Sequence, residues 1–285
     1  MAERTKPYYS VRMGKNPLTD RFDLATLRGM FCGLFVELEK KCYFQESFGY
    51  QCVDEGYVPG TQRHDLAGVL LLDLRKTDLT PFREKIGNYT EEDLFDMTEF
   101  LHEHCSKPNT GKYHEYCGCG WHYSTFQREI GQAEYREQVN KILALYECGY
   151  ELSKEGEILA LAEDGLGTLL EAPLPSSADP ESIAGRVAAA TLKFRRYRSS
   201  EEERRDAVRD LADVLEYLRT ELKTVFDKQD EADLFNLANN FGIRHHNSKQ
   251  KTQYDKPIWY SWMFYYYLAT IHAATRLLEK AEIKQ

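Results

Sequence analysis

From Pro180 to the C-terminus the apolar residues recur at three- and four-residue steps, and the connections between runs are short. This is the pattern of helices packed against one another. Ile183–Arg198 is a short basic run, and Ser199-Ser200-Glu201-Glu202-Glu203 supplies an N-cap and an acidic first turn for a long helix to about Phe226. The apolar row of that helix is Ala207, Val208, Leu211, Val214, Leu215 and Leu218. Asp230 caps a third helix over Glu231 to about Asn240, and Lys256-Pro257 opens a last one running to about Lys280. Four helices joined this way predict an antiparallel four-helix bundle over 181–285.

The N-terminal 175 residues are mixed, predicting a mainly α chain with an α+β first domain. Residues 22–40 are helical by period, with Asp20 placed to cap them, and Thr90 opens a second helix ending near Cys105. Cys42–Gly60 is aromatic, Gly-punctuated and strand-like, and 66–74 is a short apolar run. A loop with Pro108, Asn109 and Gly111 precedes a helix over 132–148. Tyr150 to Leu161 alternates about a Glu155-Gly156 turn, a hairpin pattern. Pro173, Pro175, Ser176, Ser177 and Pro180 mark a linker, which places the domain boundary near residue 178.

Charge divides along the same line. The chain of 285 residues is −9 overall, but residues 1–185 carry 19 Lys and Arg against 31 Asp and Glu, while 186–285 carry 18 against 15. Net acidity argues against a protein that simply coats nucleic acid, which needs clustered cations. That objection applies to the first half only. Met1–Asp20 has no apolar core of a signal peptide, and the seven cysteines are odd in number, so reduced thiols and a cytoplasmic location are expected. Ile258–Ala274 is 17 residues without a formal charge, but its Ser261, Thr270, His272 and four tyrosines favour a buried helix over a membrane span.

The segment Asn239–Lys251 gathers Arg244, His245, His246, Asn247, Lys249, Gln250 and Lys251, with no acidic residue between Asp233 and Asp255. An arginine can clamp a phosphate in two places, and a histidine near neutral pKa can take the proton of a ribose 2′-hydroxyl or protonate the leaving oxygen. Such chemistry needs RNA, because DNA lacks the 2′-hydroxyl. The same composition also suits a solvated interhelical loop. Arg195 and Arg196 form a second basic run that can touch RNA phosphate or pair with Glu201–Glu203.

At these residues the C-terminal domain resembles a HEPN domain, a four-helix module of prokaryotic defence and toxin ribonucleases. The motif of that family is an Arg, a polar residue, and a His four to six positions after the Arg. Arg244 matches the Arg and His245 the polar residue, and the family's His falls where this chain has Lys249-Gln250-Lys251. The resemblance implies metal-independent endoribonuclease activity, on tRNA among other RNAs. Arg244 would hold the phosphate, His245 and His246 would supply acid–base groups, and Asn247 and Gln250 would orient them. Lys249, Lys251, Arg195 and Arg196 would bind RNA. It equally implies, from the missing distal His, a non-catalytic RNA- or protein-binding regulatory module. Family members dimerise with two motifs facing one groove, so a homodimer is expected. The first half is similar to the N-terminal domains of AbiJ-like abortive-infection proteins through Cys42–Tyr50, Phe95–Phe100, His114…Cys119-Gly120-Trp121-His122 and Tyr135-Arg136…Asn140. Antiphage defence, with a phage trigger or a regulatory protein partner, is what that resemblance implies.

No cofactor is expected. Gly165-Leu166-Gly167 lacks the Lys-Ser/Thr of a phosphate loop. His102, His104, Cys105, His114, Cys117, Cys119 and His122 can be read as a reduced, aromatic-rich loop or as a zinc site. In the zinc reading Cys105, Cys117, Cys119 and His122 are the ligands. Glu91, Glu92, Asp93 and Asp96 suit a helix first turn better than a metal. Trp259, Trp262 and Tyr266, with Phe264 and Tyr265, are expected in the core and the dimer interface, and His272 and Arg276 share one helical face.

Overall fold

The computed structural model describes residues 8–15, 21–163, 165–175, 183–226 and 254–282, together with 229, 234, 235 and 243. The protein is mainly helical with small two-stranded sheets. Its contacts divide it into two units, Met1–Ile158 and Leu159–Gln285. Among the described residues no helix is long and apolar enough to cross a membrane.

The first unit is built on three helices. α2 (Leu24–Lys40) follows a four-residue turn, α1 (Tyr9–Arg12), and buries Leu27, Phe31, Leu34, Phe35 and Leu38 along one stripe. Its N-cap is Asp23, three residues beyond the Asp20 expected from sequence, and the Asp23 carboxylate accepts from Thr26 N. α6 (Glu91–Glu103) opens with a capping box, in which Thr90 and Asp93 each accept the other's backbone N–H. Lys76 Nζ sits 2.5 Å from Asp93 and 2.7 Å from Asp96, so these carboxylates serve the helix start and a lysine. α7 (Arg128–Leu143) buries Tyr135, Val139, Ile142 and Leu143, and the Tyr135 hydroxyl donates to Thr98 O of α6.

Around this core lie shorter elements, α3 (Gln45–Phe48), α4 (Leu66–Asp73) and α5 (Phe82–Lys85), and two hairpins. β1 (Tyr50–Cys52) pairs antiparallel with β2 (Gly56–Val58), placing Cys52 opposite Gly56. β3 (Lys107–His114) pairs with β4 (Gly120–Gln127), placing His114 opposite Gly120. The strand-like segment 42–60 is thus helical in its first part, and the expected loop at 108–111 is strand. An apolar or Gly-containing run of this length fits either state until its pairing partner is fixed. The predicted hairpin is present as β5 (Tyr150–Leu152) and β6 (Ile158–Ala160). Its turn closes through Gly156 N to Ser153 O and Ser153 N to Glu157 O, with Gly156 at φ +90°.

In the second unit α8 (Gly167–Glu171), α9 (Gly185–Arg195), α10 (Glu201–Tyr217), α11 (Arg219–Leu222) and α12 (Lys256–Glu282) enclose one core. Ser200 and Glu203 form the predicted capping box of α10. The single long helix expected to reach Phe226 ends instead at Tyr217, and α11 follows as a separate turn. Phe264 of α12 stacks on Phe194 of α9 at 4.0 Å and 9°. The predicted third helix lies outside the described residues, except Leu234 and Phe235, which are buried in this core. The boundary also moves. Leu166, Leu169, Leu170 and Leu174 pack on the helical core, and Glu163 accepts from Ser261, so 159–175 belongs with the helices rather than with the first domain. The Pro/Ser composition is local, whereas the apolar contacts of these partly buried leucines decide which core the segment joins.

Candidate functional site

Arg244, His245, His246, Asn247, Lys249, Gln250 and Lys251 lie outside the described residues. The flanks of this segment are described. Ile243 is fully buried in the helical core. Tyr254 packs edge-on against Trp259 and Tyr260, at 6.4 and 6.2 Å. Burial and the Tyr260 hydroxyl push the Tyr254 phenol up to about 12, so it stays neutral.

Arg195 is half-buried, and its Nε and Nη2 both donate to Ala160 O, at 3.0 and 2.9 Å. That guanidinium ties α9 to the residues ahead of α8. Arg196 is exposed, and its backbone N–H closes α9 on Leu192 O. On α12 the shared face splits by depth. His272 is buried with its pKa lowered by burial and by the Arg276 charge, while Arg276 is exposed. The aromatic row divides too. Phe264 and Tyr265 are core, but Trp262 and Tyr266 stack on each other at the surface, 5.5 Å apart.

The zinc reading is corrected in its ligands. Cys105 is fully buried, its thiol donates to Gly131 O, and burial pushes it up to about 12, where the thiolate that a metal needs is disfavoured. Cys117 is exposed in the β3–β4 turn. Cys119 and His122 are instead joined by Cys52 and His114, and one ligand atom from each of these four lies within 4.8 Å of the others.

Two hairpins build the cluster. Cys52 ends β1 and is buried, His114 ends β3, and Cys119 and His122 flank the start of β4. Cys52 Sγ is 3.8 Å from His114 Nδ1, and Cys119 Sγ is 3.1 Å from His122 Nε2. The other nitrogen of His114, Nε2, is 3.3 Å from Asp54 Oδ2. The His122 ring stacks on Tyr50 at 4.2 Å. The Gln45 side chain grips β4 from α3, donating to Trp121 O and accepting from Tyr123 N. Two thiols and two imidazoles are donors for a tetrahedral, borderline-soft cation. Sequence reasoning missed Cys52 altogether, and it placed His114 in the candidate cluster but not among the four ligands. The spacing His114-x4-Cys119-x2-His122 was readable, but Cys52 lies 62 residues before His114.

His102 and His104 stand apart from the cluster, buried at the end of α6. Burial, aided by Arg136 and Arg128, pushes His102 down to about 4. Between the ordinary value near 6.5 and about 4 the unfolded chain binds a proton that the folded chain excludes. The stability from neutral His102 is therefore present above about pH 6.5 and drains as pH falls toward 4. Between pH 7 and pH 4.5 the expected loss is about 2 kcal/mol. Urea unfolding of wild type and His102→Gln at both pH values measures it, and an unchanged pH dependence in the variant would remove His102 as the cause.

No protein-family model matches the chain, and no match was found among curated proteins or solved structures.

Proposed function

We propose that the protein is a cytoplasmic, homodimeric defence ribonuclease of the abortive-infection type, with a HEPN-like four-helix module as its second unit. Arg244 holds the scissile phosphate while a 2′-hydroxyl attacks it. His245 and His246 take the hydroxyl proton and return one to the 5′-oxygen that leaves, giving a 2′,3′-cyclic phosphate and a 5′-hydroxyl. Asn247 and Gln250 orient these groups, and Lys249 and Lys251 add positive potential. The acidic first unit gates the activity in response to a phage trigger or a protein partner.

The observation that carries this reading is the bracketing of the basic segment. Ile243 immediately before Arg244 is fully buried, and Tyr254 after Lys251 packs on α12, so the described residues on both sides of the segment belong to the helical unit. Catalytic groups keep their register when packed neighbours support them, and the helical unit supplies such neighbours next to this stretch of sequence. Support for the dimer comes from α12, whose Ile258, Trp262, Tyr266 and Leu277 form an exposed apolar row at helical spacing. Gln250, at the place of the family's distal His, favours a second reading in which the module binds RNA or protein without cutting.

Purified wild type and Arg244→Ala are incubated with tRNA and total RNA, with and without lysate of phage-infected cells, and fragment ends are mapped. The buffer contains neither added divalent cations nor chelator, which leaves the cysteine–histidine cluster undisturbed. Cleavage to cyclic-phosphate ends by wild type, slower by about 10²–10³ in the variant, is expected. No cleavage by wild type under either condition overturns the enzyme in favour of the binding module. Equal cleavage by both overturns the assigned site.

A further inference from the structure

We propose that Cys52, His114, Cys119 and His122 form a closed structural zinc site that clamps the β1–β2 hairpin to the β3–β4 hairpin. The inference does not depend on ribonuclease activity.

Geometry is the first support. Zinc binds sulfur at about 2.3 Å and imidazole nitrogen at about 2.0–2.1 Å, which at tetrahedral angles spaces the ligand atoms about 3.3–3.8 Å apart. The two sulfur–nitrogen distances, 3.8 and 3.1 Å, bracket that spacing, and all four atoms already fall within 4.8 Å of one another. Closing on an ion then takes movements of about an ångström or less. The number of donors sets the kind of site. Four protein ligands complete a tetrahedron and leave no position for water or substrate, so the site is structural and not catalytic.

The second support lies outside the ligands. A histidine that binds through one nitrogen is usually oriented by a carboxylate on the other. Asp54 Oδ2 stands 3.3 Å from His114 Nε2, while the opposite ring nitrogen, Nδ1, is the one 3.8 Å from Cys52 Sγ, so the carboxylate lies on the side of the ring away from the cluster. Both Asp54 and Cys52 come from the β1–β2 hairpin, so one hairpin supplies a ligand and the carboxylate that aims a ligand of the other.

The third support is the need for a clamp. β3 and β4 contain sixteen residues, and no side chain among them is buried. A two-stranded hairpin with no buried face is marginal by itself. Beyond its root the hairpin is held by the Gln45 side chain on β4, by the His122 ring on Tyr50 and by the Cys119 thiol, which donates to Gln51 O, so its outer half leans on the β1–β2 hairpin that the ion would tie to it. Binding converts two thiols to thiolates and releases two protons; two negative sulfurs and two neutral imidazoles then balance the dication, so no net charge is left in the site.

The test uses full-length, untagged protein purified under reducing conditions. Metal analysis should find about one zinc per chain. Cobalt substitution should give the absorption of a tetrahedral ion bearing two thiolates. Cys52→Ser and Cys119→Ser should each lose the bound zinc, whereas Cys117→Ser should keep it. Because the cysteine variants can fail through misfolding, Asp54→Asn provides a milder arm. Asp54 is exposed, so this variant should fold normally and bind zinc about 10–100-fold more weakly in a chelator competition. A metal-free wild type that also fails to take up cobalt would overturn the site. So would full zinc retention by both serine variants, an unchanged affinity in Asp54→Asn, or a Cys52–Cys119 disulfide in the reduced preparation.

Discussion

Replacing Phe264 by Ala should lower the stability of the helical unit by about 3–5 kcal/mol, the usual cost of removing a large aromatic from a packed core. Phe264 has no exposed surface and lies at 4.0 Å, nearly parallel, against Phe194, whose other surroundings include the Arg204 guanidinium 4.5 Å from its ring centroid. Truncation leaves a cavity between α9 and α12 and removes the partner that orients Phe194. The stack sits near the middle of a cluster running from Ile183 to Ala274, so neighbouring backbones are held on several sides and collapse only in part. Urea or thermal unfolding followed by circular dichroism measures the loss, which corresponds to a fall in Tm on the order of 10 °C. A change below about 1 kcal/mol would mean that the two rings are not packed as described.

A second large effect is expected from a single added methyl group. A Cβ on Gly131 of α7 would lie 2.3 Å from Lys107 N and 2.6 Å from Ser106 C. Both are backbone atoms at the root of β3, so no side chain can swing aside to admit the methyl. Gly131→Ala must push α7 away from the 105–107 segment, at a cost of about 3 kcal/mol, the upper part of the range for overpacking. The displacement also reaches the Cys105 thiol, which donates to Gly131 O at 3.6 Å. Chemical denaturation of Gly131→Ala beside Gly29→Ala in α2 separates the clash from helix propensity, because nothing lies within 4 Å of a Cβ at Gly29. Equal stability of the two variants would show that α7 yields without strain.

Expectation and structure agree where a few neighbouring residues settle the outcome. Thr90 with Asp93 and Ser200 with Glu203 start helices where they were expected, because a capping box is complete within four residues. The Glu155-Gly156 turn produced its hairpin for the same reason. The α10 row from Ala207 to Leu215 is buried as its spacing predicts. The misread segments are short ones whose state depends on a distant partner. Lys107–His114, expected as a loop, is a strand through pairing with Gly120–Gln127, and Gln45–Phe48, inside the stretch expected as strand-like, is helical. The basic segment around Arg244, which carries the functional proposal, was legible from composition and spacing alone.

The sequence by itself determined the capped starts of α6 and α10, the stripe that α10 buries, and the charge difference between the halves, because caps and stripes are decided within a turn or two of chain and charge by composition. Only the tertiary structure decided which cysteines and histidines meet. Cys105 is close in sequence to the ligand-rich turn, but α6 carries it into the core beneath Gly131. Cys52 is 62 residues from His114, but the two hairpins bring their ends together. The physical reason is that ligand convergence depends on how hairpins dock, and docking is fixed by pairing and packing between residues far apart in the chain.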